Sequence, residues 1–180
     1  YGRTLSHTNC LKNKSSWVNR LSPKMREQFS KSHALLHICF LEHALLNRDT
    51  SEFAPFLRVM PSSLGHLPLL TTLNLTELLA GSPLLIDINK HKRDLEERYN
   101  QIVWEHAEFG RLVTLEDFMY TYCSVESHSH ARHDEDETVP LMVPLVDLVN
   151  HRSRKPSLRL GKLGDKGTAD EVAVHMNHNA

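Results

Sequence analysis

The stretch Pro144-Leu145-Val146-Asp147-Leu148-Val149-Asn150-His151 puts three polar side chains within and at the end of an apolar run that opens on a proline. Burial of the apolar residues would fix the backbone, so that Asn150 and His151 can meet polar groups of a ligand. The same pattern also suits a simpler task, with Asp147 and Asn150 capping a turn after a buried strand. A second group, His128, His130 and His133, has the His-x-His-x-x-His spacing of zinc or nickel ligands. No cysteine lies nearby and four acids follow directly, so residues 128–137 read as an exposed polar loop without metal. His33 and His37 stand four apart, but Ala34 occupies the place where a zinc-protease helix has its glutamate.

These side chains need elements to hold them, and most of the chain has helical spacing. Ser22-Pro23 is a start signal, a hydroxyl cap followed by proline. Met25, Phe29, Leu36, Phe40, Leu41, Ala44 and Leu45 then extend one helical run to about residues 47–49. Ser51 caps a short helix through Phe53, Phe56 and Leu57. A helical turn over 73–80 stops at Gly81. Ser82-Pro83 repeats the start signal, and Leu84, Ile88, Leu95, Tyr99 and Ile102 form a stripe, with Gly110 closing the helix. Thr114 caps the last helix, where Glu116 and Asp117 complement the helix dipole and Phe118, Tyr122 and Val125 make the apolar face. Past residue 127 the pattern changes. Residues 139–149 are apolar, hold Pro140 and Pro144, and read as a buried extended segment. Leu158 and Leu160, then Val172 and Val174, alternate with polar residues around Gly164-Asp165-Lys166-Gly167, a hairpin signal. The expected fold class is α+β.

Composition bounds the rest. The 180 residues suffice for one domain, and 40% hydrophobic with 24% charged residues is a globular balance. The net charge of −1 gives no global bias toward nucleic acid or membrane. The first 32 residues differ, with seven cations against Glu27 alone, and read as a solvated basic arm, an anion-binding segment or an organelle-targeting remnant. The longest uncharged stretch, residues 59–76, contains Pro61, Gly65 and Pro68, so no membrane span is expected. Three widely spaced cysteines argue against a disulfide framework and for a reducing compartment, cytoplasmic or nuclear, with the mitochondrion as the alternative. The chain opens on Tyr1 rather than Met, which reads as a fragment, a processed product or a partly observed chain.

Four ordered segments resemble one family. Phe53-Ala54-Pro55-Phe56-Leu57 with Met60-Pro61 is one, and Glu77-Leu78-Leu79-Ala80-Gly81-Ser82-Pro83-Leu84 is another. Leu115-Glu116-Asp117-Phe118 leading to Val125-Glu126-Ser127 is the third, and the Asn150-His151 stretch the fourth. Together they resemble SET-domain protein methyltransferases, in particular the subfamily related to the RuBisCO large-subunit and actin-histidine methyltransferases. The resemblance implies a basic arm over 1–21, a helical SET insert over 22–138, and a C-terminal SET segment over 139–180. It implies S-adenosylmethionine as methyl donor and a protein lysine, or a histidine, as acceptor. Asn150 and His151 would contact the cofactor and Asp147 would brace the loop. His128 stands where the family has an arginine that holds the cofactor carboxylate. Its imidazole lacks the planar fork of a guanidinium. The family's catalytic tyrosine lies beyond the hairpin, so no catalytic residue is assigned. Tyr99, Tyr120 and Tyr122 fall on insert helices and are expected in the core. The alternative is a catalytically degenerate SET-like protein serving as a structural or assembly factor in a larger complex such as a ribonucleoprotein. The missing arginine and the cations Arg152, Arg154, Lys155, Arg159 and Lys162 point that way. Those cations suit contact with RNA or an acidic partner, or a charged edge that protects the hairpin.

Overall fold

A computed structural model of the chain describes residues 4–30, 33–133, 138–144, 146, 158–162 and 172–176. Nine α-helices and five strands are assigned among them, and the architecture is α+β. The centre is α4 (Ala34–Leu41), in which all eight residues are buried, His37 included. A helix apolar all round must be enclosed on every side. Here α2 (Trp17–Arg20), α3 (Pro23–Ser30), α9 (Leu115–His128) and strand β1 (Leu5–Ser6) pack against it.

The run expected as one helix from Ser22 is two. α3 ends at Ser30 and α4 begins at Ala34, with His33 in a turn. Apolar spacing alone does not reveal such a break, because both halves face the same core. The second half ends where expected, but its last turn, Glu42–Leu46, is a π-helix. Its first residue, Glu42, is buried and accepts from Ser16 Oγ at 2.6 Å and from the Trp17 amide at 3.1 Å. That carboxylate ties the start of α2 to the central helix.

Leu5, Cys10, Trp17, Val18 and Leu21 all belong to the main apolar cluster. The segment read as a solvated basic arm therefore contributes core, because its charges alternate with buried apolar groups. α1 (His7–Lys12) carries Cys10, which pairs with Cys39 of α4 across a Cα–Cα distance of 6.1 Å. The sequence argues against a disulfide framework, and a single pair is not one, but this pairing was not anticipated. Sequence spacing does not report on two positions brought together by packing, and Cys123 remains a buried thiol.

The other signals hold with small shifts. Ser51 Oγ accepts from the Phe53 amide at 3.0 Å ahead of α5 (Ala54–Val59). α6 (Leu75–Leu78) is followed by Gly81 at φ +78, a left-handed conformation that favours glycine. Ser82 caps α7 (Pro83–Glu105), which buries Ile88, Leu95 and Ile102. Leu84 of the same stripe is exposed in the first turn of the helix. Gly110 does not close α7. The helix stops at Glu105, with the His106 amide donating to Ile102, and Gly110 sits inside α8 (Phe109–Leu112) against the Val103 methyls. Thr114 and Asp117 form a complete capping box on α9. Tyr99, Tyr120 and Tyr122 pack on the core, as expected.

The main sheet is antiparallel in the order β1-β3-β2, with β2 (Ser129–His133) and β3 (Thr138–Met142) paired from Ser129↔Met142 to His133↔Thr138. The polar loop expected over 128–137 is thus a strand through His133. Cross-strand pairing with 138–142 overrides the polar composition, and residues 134–137 lie outside the described residues. β4 (Leu158–Lys162) and β5 (Val172–Met176) form the expected hairpin, in register Leu158↔Met176. No helix among the described residues is long and apolar enough to cross a membrane.

Candidate cofactor site

The central strand β3 is flanked at Met142 by Leu5 on one side and Ser129 on the other. The antiparallel register then sets Thr4, which leads into β1, and His128, which ends α9, at the end of the sheet where β3 gives way to Val143. Three chain segments remote in sequence converge there. Thr4 is buried, His128 half-buried, and Val143 buried beside Leu141.

Past β3 the chain turns. The Val146 amide donates to the Val143 carbonyl at 3.1 Å, across Pro144, and Val146 is again buried. The apolar part of the Pro144–His151 stretch is thus anchored as far as Val146. Asp147, Asn150 and His151 lie outside the described residues, as do Arg152, Arg154 and Lys155. Arg159 and Lys162 fall on β4, opposite His175 and Val172.

His128 is held by two devices. The Thr114–Asp117 capping box sets the start of α9, with the Asp117 amide donating to Thr114 Oγ1 at 3.1 Å. At the other end the Ser129 amide donates to the Val125 carbonyl, closing the helix. The position is the negative end of the helix dipole, which favours a hydrogen-bond donor side chain there but does not itself attract an anionic ligand group.

Other groups that could react are engaged otherwise. Burial pushes the Cys123 thiol up to about 11, so it stays protonated and is a poor nucleophile at neutral pH. Burial also raises the Tyr122 phenol, whose oxygen lies 2.9 Å from His91 Nε2. Tyr99 donates to the Val113 carbonyl and Tyr120 to that of Pro61. His33 pairs with Glu126 at 3.1 Å, and the buried His37 meets Thr121 Oγ1 at 2.9 Å. No group of three or more potential metal ligands occurs among the described residues.

Sequence reasoning singled out His128 as a candidate but missed its strand neighbours. Leu5–Ser6 is a two-residue strand with too short an alternation to detect, and only its pairing with Leu141–Met142 reveals it. No protein-family model matches this chain, and no curated protein matches it.

Proposed function

We propose that this chain is part of a SET-class, S-adenosylmethionine-dependent protein methyltransferase acting on lysine or histidine side chains. The observation that carries the reading is the convergence of Thr4, His128 and Val143 at one end of the sheet, immediately before the Asn150-His151 stretch. The family resemblance assigns cofactor contacts to His128, Asn150 and His151. The register brings His128 beside the strand that leads to the other two. The helical body over 22–128 and the sheet that follows it suit the α+β plan of a SET domain with a helical insert.

The donor set fits the cofactor's polar groups, with one weakness. The Asn150 amide can both donate and accept, as adenine and amino acid groups require. His128 offers one ring donor where a guanidinium would grip a carboxylate with two, a difference on the order of 1.5–3 kcal/mol. S-adenosylmethionine, when bound, supplies an electrophilic methyl on a sulfonium. The chain's part is to orient the acceptor nitrogen in line behind that methyl and to exclude water. A lysine acceptor must first release its proton to solvent, which burial of the amine favours.

A degenerate SET-like assembly factor is the second reading, favoured by that same imidazole at position 128 and by the cations from Arg152 to Lys162. Photo-crosslinking separates the two. Irradiating the full-length protein with labelled S-adenosylmethionine should label a peptide within 138–158, and excess S-adenosylhomocysteine should abolish that label. Labelling that ignores the competitor would count against the methyltransferase.

A further inference from the structure

A cavity of about 320 Å³ opens between the π-turn after α4, the start of α5's outgoing loop and the first turn of α9. It lies at the far end of α9 from His128, about 18 Å away along a helix of 1.5 Å rise per residue. Its floor is apolar, made by Phe40, Leu45, Leu57 and Met60. Leu45 and Met60 pack on the core yet remain only partly buried, because the cavity stands over them. Ala44 and Leu45 of the π-turn form part of this wall, and such turns recur at functional sites.

The rim carries opposite charges. Arg48 and Glu116 both line the mouth, both are exposed, and neither has a hydrogen-bond or ion-pair partner among the described residues. The other rim acid, Asp117, is already engaged, since its Oδ2 accepts from the Thr114 amide and hydroxyl. The start of α9 is therefore satisfied by its own capping box and is not an anion site. What remains is a pocket with an apolar floor and a predominantly polar mouth, edged by Ser62 and Ser63 and carrying one cation and one anion. Its volume sits at the small end of small-molecule sites, about 300–1,000 Å³, too small for a nucleotide-sized ligand to be enclosed.

We infer that this cavity binds a small α-amino acid with an apolar side chain. The side chain occupies the Phe40–Met60 floor, the carboxylate meets Arg48, and the ammonium meets Glu116. The inference does not depend on the methyltransferase reading, because no residue is shared with the cofactor site.

The test is an amide chemical-shift titration of the full-length protein with L-leucine, beside N-acetyl-L-leucine amide, which keeps the side chain and removes both charges. Saturating shifts confined to residues 40–63 and 116–120 are expected with L-leucine, with affinity reduced about tenfold or more for the blocked compound. Arg48→Gln and Glu116→Gln, both at exposed positions that should fold normally, are each expected to weaken L-leucine about tenfold. Ala44→Phe, which fills the cavity from the π-turn, should abolish the shifts. No shift at millimolar L-leucine overturns the proposal. Equal binding of the blocked compound, or binding unchanged in both rim variants, overturns the charge assignment and with it the amino acid class. Failure here leaves cofactor crosslinking at 138–158 untouched, so the two readings fail separately.

Discussion

At His37 the core holds an imidazole sealed from water between the edges of Phe118 and Tyr122, with ring centroids 4.4 and 5.5 Å away. Burial, and then the Arg98 guanidinium, lower its pKa to about 3. Above pH ~6.5 the group is neutral in both the folded and the unfolded chain. Between that pH and about 3 only the unfolded chain takes up the proton. Stability is therefore lost as pH falls through this window, by on the order of 1 kcal/mol per pH unit. Urea unfolding at pH 7, 6 and 5 should show this loss, and His37→Gln, which can still hydrogen-bond Thr121, should show a shallower one. Equal slopes would contradict the assignment. The sequence displayed His37 through its spacing from His33, but not which of the two is enclosed. That follows from α9, whose Thr121 and Phe118 approach from more than 80 residues away. The Ser16–Glu42 contact was equally hidden, since a hydroxyl and a carboxylate 26 residues apart carry no local pattern.

Among the elements, boundaries set by caps were legible and boundaries set by packing were not. Ser82-Pro83 and Thr114 mark the starts of α7 and α9 because the capping chemistry is local. The break between α3 and α4, the π-turn and the end of α7 at Glu105 come from tertiary fit, and Gly110 misled because a close approach to Val103 also favours a small residue. Gly81 provides the test of local logic. No atom lies within 4 Å of a Cβ added there, so the only penalty in Gly81→Ala is the backbone at φ +78. That substitution should destabilise the protein by about 1–2 kcal/mol, and Gly81→Asn by less, in chemical denaturation. A neutral Gly81→Ala would mean that the turn relaxes away from the left-handed region.

For the whole molecule, the α+β class was readable from the change in pattern past residue 127, and the paired strands β4 and β5 from their alternation. The main sheet was not readable, because its order β1-β3-β2 joins residues 5–6 to 138–142 through contacts no local window contains. The proposed site depends on that sheet, since it sets His128 beside the strand that precedes Asn150 and His151 in the sequence. The central claim is that this end of the sheet binds S-adenosylmethionine with a weakened carboxylate contact. Calorimetric titration of the full-length protein tests it directly. The account predicts saturable binding by the unmodified protein, at least about tenfold tighter binding by His128→Arg, and weaker binding by Asn150→Ala. Saturation in His128→Arg alone would favour the assembly factor. No binding heat at millimolar cofactor in either the unmodified protein or His128→Arg would contradict the account.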